Sequence, residues 1–210
     1  MSEVKTPSTL RAEQAAMTRA RIVEAASALF VAEGFVKTRI EDVAERARVS
    51  VPTVYKVFTN KATLLIAALD AAMTGTDDAS TVHEQAWWLE QLDEPDPGRQ
   101  LDLIARNARQ IYERAGLLLG VVRSAAVMDH DVAEVWERVA DDRSARGRTS
   151  ARRFVAKAGK RARLSADDTA LTLWALTDPD LYTAVVGGGR TPKKYEGWLA
   201  GVLRASLLDG

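Results

Sequence analysis

The sequence contains no cysteine. Disulfide scaffolds, thiolate zinc sites and cysteine nucleophiles are therefore excluded together. Its two histidines, His83 and His130, are too few for a histidine-rich metal centre, so most metalloenzyme and thiol-enzyme readings fall as well. Glycine, at 13, and proline, at 6, are too scarce for a linker-rich or collagen-like chain. No apolar run reaches the length of a bilayer-spanning helix, and the opening residues MSEVKTPSTLRAEQ lack the apolar stretch of a signal peptide. A cytoplasmic protein without a membrane partner is the expectation. Net charge is missing too, since 29 basic residues balance 29 acidic ones.

What is present is ordinary globular usage, 47% hydrophobic and 28% charged over 210 residues. That suffices for one large domain, or a small one joined to a medium one, with a sizeable core. The zero net charge hides an asymmetry: 10 basic and 7 acidic residues up to Leu65, against 19 and 22 after it. A modest basic excess fits either a polyanion partner or a solvated face, and local motifs decide between them.

The polar stretch 1–11 shows no apolar period and reads as a terminal arm that could carry Lys5 and Arg11 toward an anionic surface, or simply fray. From about Arg11 to Glu33, Ile22, Ala26, Leu29 and Phe30 fall on one helical stripe, and Gly34 closes it in a left-handed conformation with Phe35 folded back. Thr38 to Glu41 matches a capping box for a short second helix carrying Ile40, Val43, Ala44 and Ala47 inward. Ser50 then caps a third short helix starting at Val51, where Pro52 costs no hydrogen bond. Val54 and Phe58 point inward there, leaving Val51, Pro52, Thr53, Tyr55 and Lys56 for other faces. Thr59 and Asn60 cap a fourth helix from Lys61 through Leu64, Leu65, Ala68 and Leu69.

Past Met73 the loop GTDDAST opens a second module that holds all five tryptophans. Helical patterns run over about 82–92, 99–113, 117–127, 132–158, 166–177 and 192–208, separated by EPDPG, GKRARL, DPD and GGGRTP. Nothing reads as a sheet or an internal repeat. The divisions are 12–60 for the first unit and 61–210 for the second, with 61–73 as the connecting helix.

Two short helices joined by a tight turn, the second beginning at Ser50, form the arrangement that places a helix N-terminus in a DNA major groove. Such an end presents unpaired amides and positive dipole, so Ser50, Thr53 and Tyr55 can donate to phosphate oxygens. Lys61 sits at the N-terminus of the fourth helix, where the dipole disfavours a cation by some tenths of a kcal/mol and a bound phosphate would offset the cost. Helix pairs of this kind also occur inside plain cores.

The stretch 21–65, RIVEAASALFVAEGFVKTRIEDVAERARVSVPTVYKVFTNKATLL, resembles the TetR family of bacterial transcriptional regulators. Gly34, Phe35, Asp42, Val43, Ala44, Val49, Ser50, Thr53, Tyr55, Phe58, Lys61, Leu64 and Leu65 stand at positions of that family's pattern. The resemblance implies that Thr53, Tyr55 and Lys61 touch phosphates and that Val51, Pro52 and Lys56 face the groove or its walls. Two positions depart from the pattern. Arg48 replaces a usual glycine in the turn, and Arg39 replaces a usual hydroxyl residue, leaving Thr38 as the expected cap and offering an extra phosphate contact. The candidate DNA-binding set is Thr38, Arg39, Arg48, Ser50, Val51, Pro52, Thr53, Tyr55, Lys56 and Lys61.

The resemblance further implies an all-α protein: an N-terminal three-helix helix-turn-helix domain joined by a fourth helix to a C-terminal helical domain that binds a small molecule and pairs with a second copy. Tyr195, Trp198, Leu199, Val202, Leu203 and Leu207, with Leu171 and Trp174, form the expected four-helix dimer seam through the last two helices, the alternative being an intramolecular core. Pairing matters because two recognition helices must meet half-sites of a palindromic operator roughly 34 Å apart. Trp88, Ile104, Ala108, Ile111, Tyr112, Val122, Met128, Trp136 and Trp174 are the candidate lining of a pocket for an apolar or aromatic effector. Asp129-His130-Asp131 reads as a helix cap, Asp131 with Glu134, ahead of a metal cluster, and His83 as a surface residue. Arg138, Arg143, Arg146, Arg148, Arg152 and Arg153 are a solvated face first and an anion site second.

The expected function is a DNA-binding repressor released by ligand, with no cofactor, no metal and no catalytic residues. One rival is a ligand or protein adaptor without DNA binding, argued from Arg48. The other is a helical enzyme using Glu134 or Asp167, for which the sequence supplies no nucleophile with a base, no phosphate loop and no metal spacing.

Overall fold

The computed structural model describes residues 7–75 and 81–209. Lys5 and most of the GTDDAST loop lie outside them. The order is α1 (Pro7–Lys37), α2 (Ile40–Ala47), α3 (Val51–Val57), α4 (Lys61–Thr74), α5 (Ala86–Asp93), α6 (Pro97–Ala126), α7 (His130–Ala158), α8 (Ala166–Leu176), α9 (Pro179–Gly187) and α10 (Pro192–Leu207). Short 3-10 turns precede α5 and follow α7. The fold is all-α, and among the described residues the β-type pairing is a single bridge between Ala162 and Leu208.

α1 begins at Pro7, so residues 7–11 extend the helix instead of forming an arm. It buries Ile22, Ala26 and Phe30. Gly34 takes φ 79° and ψ 169°, a positive φ with an extended ψ, so the helix kinks there and adds one more turn to Lys37. This differs from the expected left-handed stop, although the aromatic fold-back occurs: the Phe30 and Phe35 rings stack with centroids 6.0 Å apart. α2 and α3 complete a three-helix unit over Ile40, Val43, Ala44, Ala47, Val54 and Phe58, all buried.

α6 is the centre of the second module. The expected break between 113 and 117 is absent, because Gly116 sits inside a continuous helix whose apolar positions, from Leu101 through Ala108, Tyr112, Ala115 and Leu119 to Val122, keep one face buried throughout. α1, α4, α7, α9 and α10 all pack on it. α9 occupies a stretch expected to be irregular: the Asp178 carboxylate accepts from the Asp180 amide and Pro179 fills the first turn, so the DPD sequence starts a helix. The start of α7 is capped by Asp129, whose carboxylate accepts from the Val132 amide at 3.2 Å, and not by Asp131.

Tyr195, Leu199, Leu203 and Leu207 of α10 are fully buried against the chain's own core. They are therefore intramolecular core and not a seam for a second copy. Leu171 remains 65% exposed, and Trp198 and Val202 are half-buried.

Candidate nucleic-acid interface and cavity

The turn between α2 and α3 is regular despite its arginine. Arg48 takes φ 54° and ψ 49°, the one positive φ outside glycine among the described residues. Its amide donates to the Glu45 carbonyl at 3.0 Å and the Val49 amide to the Ala44 carbonyl at 2.9 Å, closing α2 in the way a glycine would. The ground for an adaptor with a distorted turn is thereby removed. Ser50 caps α3, its oxygen accepting from the Thr53 amide at 3.3 Å and lying 2.8 Å from the Thr53 hydroxyl. Pro52, Tyr55 and Lys56 are exposed, Tyr55 by 51%, while Thr53 is half-buried at the same helix start. Arg39 and Arg48 are exposed on the flank, with Arg39 3.5 Å from Glu41. Val51 is half-buried and packs partly on the core, so only part of it is available to a groove.

Two expected contacts are corrected. Thr38 is 1% exposed and does not cap α2, whose N-cap Arg39 makes no side-chain capping bond. Its hydroxyl instead donates to the Gly34 carbonyl at 2.8 Å, closing the kinked end of α1, which removes it from any surface a duplex could meet. Lys61 is not a stranded cation. Its ammonium donates to the carbonyls of Val36 at 3.3 Å and Thr38 at 3.2 Å and sits 4.5 Å from the Phe35 ring centroid. The negative end of α1 offsets the unfavourable start of α4, so the dipole argument no longer requires a phosphate. One of its three N–H groups is left over from those two bonds.

α4 runs from this surface to a cavity of about 320 Å³ in the second module. At its start, Asn60 caps the helix and its amide nitrogen lies 3.4 Å from Asp131 of α7. At its end, Arg114 of α6 donates to the carbonyls of Ala72 at 3.1 Å and Met73 at 3.2 Å, and Met73 borders the cavity.

Seven of the nine expected lining residues border that cavity: Trp88, Ile104, Ala108, Ile111, Tyr112, Trp136 and Trp174. Val122 and Met128 do not. Val122 is fully buried in the core, and Met128 is 69% exposed beyond the end of α6. Glu134 and Asp167, the carboxylates of the enzyme reading, do not border it either. Burial pushes the Tyr112 hydroxyl up to about 12, and that hydroxyl donates to the Thr177 carbonyl.

The polar part of the wall was hidden in the sequence, because polar residues on a long charged helix give no sign of which face turns inward. Arg143 donates to the carbonyls of Trp174 and Thr177 and to Asp178 at 3.0 Å, with its guanidinium 3.5 Å from the Trp174 ring centroid. Arg146 is 8% exposed and paired with Asp142, and desolvation holds its guanidinium below its ordinary value. These two leave the solvated face expected for the arginine-rich stretch. Gln91 donates to Ser150 at 2.9 Å, and Asn107 to Gln91 at 3.0 Å. The Trp87 indole nitrogen and the Asn107 carbonyl oxygen, both on the wall, have no partner among the described residues. His83 is exposed as expected, yet its ring nitrogen lies 3.0 Å from Asp142.

Residues 22–68 match the model of the bacterial regulatory proteins of the tetR family. The chain is 38% identical over 80 residues to the probable HTH-type transcriptional regulator ArpR of Pseudomonas putida, a match spanning 38% of each chain. It is also 38% identical over 85 residues to the HTH-type transcriptional regulator TtgR of Pseudomonas putida, covering 40% of this chain and 38% of that one. The matched part thus spans well under half the length of these curated relatives. In three dimensions the chain is similar to NalD, the secondary repressor of the MexAB-OprM multidrug efflux pump in Pseudomonas aeruginosa, with TM-score 0.69 at 20% identity over 93% of this chain and 98% of that one. That likeness concerns the fold.

Proposed function

We propose that the chain, whose residues 22–68 match the tetR family model, is a cytoplasmic, homodimeric transcriptional repressor of that family that binds a palindromic operator through α3 and releases it when a small molecule enters the cavity. The observation that carries this reading is the free N-terminal end of α3, where Ser50, Pro52, Tyr55 and Lys56 are exposed around a regular turn. Tyr55 and Lys56 offer a hydroxyl and an ammonium to the sugar-phosphate rails, and the half-buried Thr53 adds a hydroxyl at the rim. Pairing is supported by the outer side of α8 and α10. Leu171 is exposed there, Trp198 and Val202 are partly so, and a Cβ placed on Gly197 or Gly201 would meet nothing within 4 Å, which leaves room for a second copy's helix.

Release requires the ligand to prefer a conformation whose two recognition helices are wrongly spaced. A coupling of about 1–3 kcal/mol lowers operator affinity by roughly 5–150 fold. α4 is the suited lever, since its first residues hold the end of α1 and its last turn touches the cavity.

The test is a mobility shift with the DNA upstream of the chain's own coding region, titrated with specific and nonspecific competitor. A repressor gives a saturable complex that only the specific competitor removes. Equal displacement by both competitors, or no complex at low salt, overturns the reading.

A further inference from the structure

Three guanidinium groups border the cavity, and they differ in how well they are matched. Arg123 is paired with Asp180, and Arg143 with Asp178 and two backbone carbonyls. The lining carboxylates are therefore already taken by arginines. Arg146 has one counter-ion, Asp142, and that side chain is 47% exposed and also faces His83. A nearly buried guanidinium thus leans on a carboxylate that water screens and that the His83 ring also contacts. Among the described residues no acceptor is found for its other N–H groups.

Ser150 stands four residues further along α7, on the same face as Arg146. It is 3% exposed, accepts from Gln91, and its own hydroxyl proton has no acceptor among the described residues. Gly147 lies between them on the wall with no side chain to fill the space. Trp88, Trp136 and Trp174 supply flat apolar surface beside this pair of donors.

We propose that the cavity takes an organic acid, a flat aromatic body carrying one carboxylate, with the carboxylate paired to Arg146 and accepting from Ser150. The inference rests on the effector role given to the cavity above and names the chemistry of its ligand. An aromatic wall alone would also suit a cation. The wall decides against one, because a cation would meet a buried guanidinium and find no unpaired carboxylate. A carboxylate supplies what Arg146 lacks, through charge-assisted bonds about twice as strong as neutral ones.

The test is calorimetric titration of the full chain with naphthalene-2-carboxylate, the neutral naphthalene-2-carboxamide and the cationic 2-naphthylmethylammonium. The carboxylate is expected to bind about tenfold tighter than the amide, with the cation weakest. Arg146→Gln is expected to erase that preference while leaving the amide unchanged. Asp142→Asn, which keeps the shape and an accepting oxygen for Arg146, is expected to tighten the carboxylate about threefold by removing the competing charge. A carboxylate that binds no tighter than the amide, a preference for the cation, or no binding of any probe at millimolar concentration overturns the proposal. So does an Asp142→Asn variant with unchanged or weaker carboxylate affinity, whether or not Arg146→Gln folds. Mobility shifts on the same preparations separate the two readings. Acid selectivity in a chain that ignores DNA keeps the ligand chemistry and sinks the repressor, whereas an operator complex dissolved by the cation and not the acid does the reverse.

Discussion

Arg48 holds a left-handed conformation that costs an L side chain about 1–2 kcal/mol relative to glycine. Arg48→Gly should therefore stabilise the protein by about 1 kcal/mol and raise the thermal midpoint by roughly 2–4 °C. If the guanidinium also meets phosphate, the same variant loses operator affinity while gaining stability, and a mobility shift beside a melting curve reads both. Lys61 predicts the opposite pattern. Lys61→Ala should lower the melting midpoint, because two carbonyl bonds and a ring contact vanish. Its remaining N–H predicts a salt slope for DNA binding that flattens by about one unit. An unchanged slope would mean that Lys61 serves the fold alone. At this level the sequence was legible wherever a side chain has one stereochemical task, as with Ser50 capping α3. It misled where two tasks compete for one hydroxyl: Thr38 fits a capping box on paper, yet burial and the nearby Gly34 carbonyl draw its proton to α1 instead.

Among the helices, the kink in α1 depends on a backbone conformation that only glycine adopts without strain. Gly34→Ala should destabilise the protein by about 1–3 kcal/mol, measured by denaturant unfolding, even though a Cβ there would meet nothing within 4 Å. A change below a few tenths of a kcal/mol would show that the kink relaxes. α4 is held at its far end by Arg114, whose two carbonyl bonds satisfy the last turn. Arg114→Gln should fray that turn, and hydrogen exchange of the amides near Ala71–Gly75 should quicken by roughly tenfold. Helix existence was legible from apolar spacing, but helix ends were less so. The gap expected between 113 and 117 is not there: Gly116 costs helix stability locally, but packing on both sides of α6 carries the helix through it. The stripe on α10 looked like an interface because spacing reports which face is apolar and not whose core it enters.

Across the fold, the buried tyrosines make an alkaline limit. Tyr112, Tyr182 and Tyr195 pack ring to ring, with centroids 5.6 Å and 4.9 Å apart along the series. Burial raises all three hydroxyls above the usual tyrosine value, Tyr112 to about 12. A raised value means that the unfolded chain loses these protons first. The stability they confer is complete below the unfolded value near 10 and is lost as pH rises toward the folded values. Melting midpoints should accordingly fall between about pH 10 and 12. Tyr195→Phe should soften that fall and add about 1 kcal/mol at neutral pH, because its hydroxyl has no partner among the described residues. A variant melting below the parent at pH 7 would mean that the hydroxyl is satisfied after all.

The central position of α6 has a consequence for synthesis. α1 and α4 both rest on α6, and Leu69 of α4 is 1% exposed. While the ribosome is still short of residue 126, the nascent amino-terminal half has apolar surface with no mate. Maturation of the helices before α4 therefore waits on a segment made later, and a transcript cut after α4 would yield a sticky fragment.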